Sequence, residues 1–308
     1  MTAGKDRRER ADVSDLIGGP ADGAGAWPGR DGLFGPDSVT WRIMNEPVIW
    51  VAGLRSLYLQ ALQPRVMRAT WQNTGFSDRR AAWGRFVRTA EFVRVRTYGS
   101  GAEAERAGRR IRKIHASLTG TDADGSTIRL DEPGLLLWVH CGEVASYVEI
   151  VRRCGMRLTA AELDLFVDEQ RRSAALVGLD PAEVPASVAG LDSYYRRVTP
   201  GLYACDEARE ALRGSFNPPV PAQYLALKLI VPPLGTLAFA TLPRWARKMY
   251  GMPGSPLTDI AATASLRALY QSTTHVPRQV LFWPVIAAAR LRARGRPAAG
   301  PAAPASAA

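Results

Sequence analysis

From Asp37 onward the apolar residues recur every three or four positions, which is the spacing that places them on one face of a helix. Ser38 has the side chain to cap a helix over 39–44, and Glu46-Pro47 interrupts it. The strongly apolar run 47–63 predicts a buried helix, with Gly53 letting a neighbour approach closely. Val66, Met67, Trp71 and Phe76 follow, with a break and a fresh cap at 75–78. The next helix starts near Asp78 and passes through Ala82, Arg85, Phe86, Thr89 and Val93, so that Arg85 and Thr89 lie one turn apart with their polar ends together. Another runs from Ser100 or Glu103 to Leu118; Ala104, Ala107, Ile111, Ile114, His115 and Leu118 form its apolar stripe. Residues 119–126 form a turn that pairs Thr127-Ile-Arg-Leu into a short hairpin. Glu132-Pro133-Gly134 opens a helix over 135–153, on which His140 faces inward with Leu136, Val139, Tyr147 and Ile150. Thr159-Ala-Ala-Glu162 is a capping box, and further helices begin at Leu191 and Cys205. No run of alternating strands, no repeat and no glycine-rich nucleotide loop interrupts this pattern, so the expected class is all-α.

The most hydrophobic stretch, 224–242, carries Lys228 and the Pro232-Pro233 pair, which argue against a membrane-spanning helix and for a bent, buried pair of half-helices. Helices over 259–270 and 277–290, with His275 between them, complete one body. The expected organisation is a flexible segment 1–36, a helical domain 37–290 and a disordered Arg/Pro/Ala-rich tail 291–308.

Composition narrows the partners. The 308 residues, 46% of them hydrophobic, are enough for a large core, and the net charge of +11 raises nucleic acid or an anionic membrane as ligands. The arginines are scattered along the helices, without finger spacing or an aromatic RNA-binding motif, so no nucleic-acid partner is expected. The 224–242 stretch and the basic tail leave peripheral contact with an anionic membrane open. Three cysteines without Cys-x-x-Cys spacing point to a reducing compartment, and no apolar segment follows the N-terminal charges as in a secretory leader; the expectation is a cytoplasmic protein.

Candidate chemistry centres on histidine. Only three are present, and two, His115 and His140, fall on inward helical faces, where they are either hydrogen-bonded core residues or ligands to a metal or haem. No Gly-x-Ser-x-Gly elbow is present, and the neighbours His140 and Cys141 point about 100° apart on a helix, which disfavours nucleophilic hydrolysis. His115, His140 and Glu143 have the residue types of a two-histidine, one-carboxylate non-haem iron site. Haem needs less: one helical histidine on one side of the iron, and an arginine and a hydroxyl on the other.

Arg85-x-x-Arg88-Thr89, then Arg112-x-x-His115, then Leu-Leu-Leu-Trp-Val-His140, occur in that order. So do Trp41-Arg-Ile-Met-Asn-Glu46-Pro47, the Arg55-x-Leu-x-Leu-Gln run to Pro64, Ala102-Glu-Ala-Glu and Leu242-Pro-x-Trp-x-Arg247. Together, over 37–290, they resemble the catalytic domain shared by rubber oxygenases (latex-clearing proteins) and MpaB oxygenases. The resemblance implies a haem b-dependent oxygenase with His115 as proximal iron ligand and Arg85 and Thr89 on the distal side. It implies a structural or haem-retaining role for His140, and for Arg112 either a haem propionate or solvent. Some rubber oxygenases carry a lysine where this chain has Arg88, and arginine, always protonated, is a poor iron ligand. The glutamate that serves as base in rubber cleavage has no counterpart between Pro64 and Asp78, and Gln63-Pro64 stands where many relatives read His-Pro. The substrates so implied are dioxygen and an apolar molecule smaller than rubber, isoprenoid or lipid-like. The alternatives are a non-haem iron oxygenase and a non-enzymatic helical protein that binds haem, lipid or a partner.

Overall fold

The computed structural model describes residues 32–74, 79–216 and 227–274. The segment before residue 32, the break and cap at 75–78, His275, the helix expected over 277–290 and the tail lie outside the described residues. Within them the chain is all-α, twelve helices and one two-stranded hairpin. The helices are α1 (Val39–Met44), α2 (Ile49–Gln60), α3 (Pro64–Thr74), α4 (Arg79–Tyr98), α5 (Gly101–Ser117), α6 (Pro133–Cys154), α7 (Ala160–Leu176), α8 (Val188–Val198), α9 (Asp206–Ser215), α10 (Leu227–Ala240), α11 (Arg244–Met249) and α12 (Pro256–Thr274). The hairpin, β1 (Thr119–Thr121) and β2 (Thr127–Arg129), pairs antiparallel between α5 and α6.

The core is built around α6, apolar on nearly every face. It is long and apolar enough to cross a membrane, but 67% of its apolar window is buried inside the fold, and it serves as the central core helix. Small residues let α2 lie close against it: a Cβ on Gly142 would sit 3.1 Å from Gln60 Cγ. The pair is cross-linked, Trp138 Nε1 donating to the Gln60 carbonyl at 2.9 Å and Gln60 Nε2 to that of Val139 at 3.0 Å. Gly155, at φ +83°, ends α6 in the left-handed conformation, and the Met156 N–H returns to the Val151 carbonyl. Helix α10 packs on α2, and α12 on α6. Just past the end of α10, one carbonyl meets two cations, buried Arg55 and part-buried Arg153: Thr241 O accepts from Arg55 Nε at 3.3 Å and Arg153 Nη1 at 3.2 Å, at the negative end of the helix dipole.

On the other side, α4 and α5 form an antiparallel pair, and α7 holds α5. Helix starts are marked by side chains: Ser38 caps α1, while Ser100 with Glu103 and Thr159 with Glu162 form capping boxes on α5 and α7. A Cβ on Gly108 would lie 2.8 Å from Leu176 O, so α5 touches the last turn of α7 backbone to backbone. The three cysteines are free and buried.

Three expectations are corrected. Nothing among the described residues comes within 4 Å of a Cβ placed on Gly53, so that glycine serves no close approach of any described neighbour. The stretch 227–240 is one helix rather than two: Pro232 and Pro233 fall in its exposed first half, where water can take up the carbonyls they leave free. That half is not buried, Leu229 being 80% exposed. Lastly, the stripe of α5 is only half covered, because its residues from Ile111 on run past the end of α7 at Leu176, and Ile114 is exposed.

Candidate active site

The α4–α5 pair brings Arg85 and His115 together from opposite directions. Arg85 sits in the first half of α4 and His115 near the end of α5, close enough for the guanidinium charge to act on the imidazole. His115 is half-buried, and its Nδ1 is fully buried without a hydrogen-bond partner among the described residues. Its pKa lies below the ordinary value because burial penalises the imidazolium and Arg85 repels it, with Asp131 opposing more weakly. His115 is therefore neutral at physiological pH, with a ring lone pair available.

Arg85 is not paired with Thr89. Its Nη1 donates to Thr74 Oγ1 at the end of α3, and Thr74 Oγ1 in turn donates to the Thr70 carbonyl at 2.6 Å. Thr89 is exposed, and its hydroxyl donates to the carbonyl of Arg85 at 3.1 Å. The two side chains start from one face, as helical spacing requires, but the polar ends diverge because α3 offers Arg85 a better-placed acceptor and Thr89 satisfies itself on its own helix. Arg112 is part-exposed, with 36% of its side chain open to solvent, and its head is held by two protein partners. Nη1 donates to Leu176 O at 2.7 Å and Nη2 to Glu105 at 3.2 Å, tying α5 to α7.

A second polar group lies deeper, between α4 and α6. His140 is buried, and next to it Arg96 and Glu143 form an ion pair with both side chains mostly removed from water. Tyr147 Oη donates to the same carboxylate at 3.4 Å, and the Arg96 guanidinium lies 5.7 Å from the centre of the Phe92 ring. Burial opposes the charge on Arg96, but Glu143 outweighs it and the pKa stays above the usual arginine value. Burial pushes His140 down to about 4, Glu143 opposing and Arg96 adding to the shift. Glu143 is thus committed to Arg96, and among the described residues no three His, Cys, Asp or Glu side chains converge to hold a metal ion. The non-haem set of His115, His140 and Glu143 is not assembled.

The shift of His140 carries a pH prediction. Its folded pKa is below the 6.5 of the unfolded chain, so the unfolded state binds the extra proton between these values and stability falls as pH drops from about 6.5 to about 4. The loss should be about 3 kcal/mol. Urea unfolding at pH 7 and pH 4.5 should show a smaller pH difference in His140→Gln than in the parent; equal differences in both would assign the acid sensitivity to other groups.

Sequence reasoning did not reach Thr74 or Arg96. Thr74 ends α3, outside any motif, and Arg96 meets an acid 47 positions away, a contact that only the packing of α4 on α6 creates.

Residues 41–273, from α1 into α12, match the model of the family described as ER-bound oxygenase mpaB/B'/Rubber oxygenase, catalytic domain. The chain belongs to this family. No curated protein and no solved structure matches it significantly. The match makes the helical body an oxygenase catalytic domain, and it takes in both α4 with Arg85 and Arg96 and α5 with His115. The surface groove between α3 and α9, of about 350 Å³, is lined by Trp71 and charged residues of α9, and neither histidine faces it.

Proposed function

We propose that this oxygenase domain is haem b-dependent, with His115 as the iron ligand, and that it uses dioxygen to oxidise, and in the fitting case cleave, an apolar isoprenoid or lipid-like molecule. The observation that carries the reading is the pairing of a neutral, half-buried His115, its Nδ1 unpartnered, with Arg85, in a domain of an oxygenase family. The residues fit the group: one neutral imidazole on a helix meets the need of a haem iron, while among the described residues no three His, Cys, Asp or Glu side chains converge as a non-haem iron site would require. When bound, haem supplies the electron chemistry that lets dioxygen react with an olefin.

What the chain adds follows from its own side chains. Thr74 fixes the guanidinium of Arg85, so a positive charge of constant position stands beside His115. That charge adds to burial in keeping the imidazole unprotonated, and it favours negative charge developing on an oxygen atom nearby. Helix α3, which ends at Thr74, brings a hydroxyl and no carboxylate to Arg85, so proton abstraction by an acid on that helix is not available. This supports a smaller apolar substrate over rubber. Buried Arg96 and His140, with Glu143 mostly removed from water, brace α4 against α6, which holds Arg85 and its helix in register.

Oxygen uptake by the purified protein with a short isoprenoid olefin tests the reading. We expect turnover that falls at least about tenfold in Arg85→Met, with cofactor content unchanged, the loss typical of one removed electrostatic group. Uptake that is identical in the variant would remove Arg85 from the reaction.

A further inference from the structure

We infer that the loop before α12, together with the first turn of that helix, docks the protein on the surface of an anionic phospholipid membrane. Three of the large exposed apolar side chains fall within nine residues: Met252 at 44%, Leu257 at 74% and Ile260 at 64% exposure. Leu257 and Ile260 are three positions apart, so they project from the same face of α12. Pro253 and Pro256, also exposed, stiffen the approach, and Gly251 (φ +78°) and Gly254 (φ +68°) turn the chain outward.

The surroundings favour a negatively charged surface over a second protein. Residues 243–267 contain Arg244, Arg247, Lys248 and Arg267 against one acid, Asp259. That acid is already neutralised: Arg244 Nε donates to it at 2.8 Å, and buried Arg247 pairs with its other oxygen. Arg244 and Lys248, four positions apart on α11, are exposed beside the apolar tip, and they leave an unbalanced positive rim. Apolar side chains inside a basic rim suit the boundary between lipid headgroups and acyl chains. The net charge of +11 strengthens attraction to an anionic bilayer. The same contact would place an enzyme for apolar substrates where such molecules dissolve, but it stands independently of the cofactor.

The test is co-sedimentation of the full chain with vesicles of phosphatidylcholine alone or with about one third phosphatidylglycerol. We expect binding to the anionic vesicles only, weakening as salt is raised. Leu257→Ser with Ile260→Ser should lower the partition coefficient at least about tenfold, from the lost apolar insertion. Arg244→Gln with Lys248→Gln should lower it about thirtyfold at low salt, each cation near such a surface contributing about fivefold. Thermal unfolding checks that the variants fold, and Lys248→Gln alone, about fivefold weaker, serves if the loss of Arg244 unsettles Asp259. The inference is overturned if the parent ignores anionic vesicles, or if the serine variant binds as the parent does, which would assign binding to the basic residues 290–296. A dimer that the serine variant dissociates, without vesicle binding, would show a surface for a second copy and overturn it equally.

Discussion

Replacing Glu143 by leucine should lower the thermal midpoint by about 10 °C, because it leaves Arg96 charged, buried and without its carboxylate. Breaking a buried ion pair by removing one partner costs about 3 to 5 kcal/mol, and in a domain of this size each kcal/mol moves the midpoint by roughly 2 to 4 °C. Arg96 has no alternative nearby: its Nε is already buried without a partner, and its guanidinium faces Phe92. Tyr147 would lose its acceptor as well. The double variant Arg96→Met, Glu143→Leu removes the orphaned charge and should recover most of the loss. A double variant as unstable as Glu143→Leu would mean that the carboxylate matters through Tyr147 and His140 rather than through Arg96.

The second large effect concerns His115. On the proposed reading, its replacement by alanine should cut the haem retained through purification at least about tenfold, since the proposed iron ligand would be gone. The fold should survive, because His115 is half-buried near the end of α5 and its ring nitrogen Nδ1 makes no hydrogen bond. Circular dichroism that matches the parent, together with lost Soret absorbance, is the expected pair of results. His140→Gln provides the contrast: that histidine is buried beside Arg96 and Glu143, so its loss should weaken stability or retention without abolishing the iron bond. Loss of haem in His140→Gln with full retention in His115→Ala would exchange the two roles.

Much of the fold was legible because local chemistry wrote it. Ser38, Thr159 and Glu162 cap the helices that their spacing implied, Pro133 opens α6, and Thr119–Thr121 pairs with Thr127–Arg129 across a turn rich in Thr, Asp and Gly. The inward face of His140 followed from period alone, since α6 is buried along most of its length. Features that depend on which helices meet were not legible. The covered part of the α5 stripe is set by where α7 ends, the exposure of Leu229 by what α10 packs on, and the partner of Arg85 by the approach of α3. Long polar side chains were the hardest case. Arg85, Arg96 and Arg112 occupy similar helical settings in the sequence, yet one reaches a threonine, one a mostly buried carboxylate and one a backbone carbonyl. Thr89 shows the same limit from the other side, a hydroxyl one turn from Arg85 that turns to its own backbone.

The central claim is that this member of the mpaB/rubber oxygenase family carries haem on His115. The absorption spectrum of the full chain, purified after expression with ample iron and haem precursor, tests it most directly. The account predicts a Soret band with about one haem per chain, the stoichiometry set by a single ligating histidine. A colourless, fully folded protein from the same expression would contradict it.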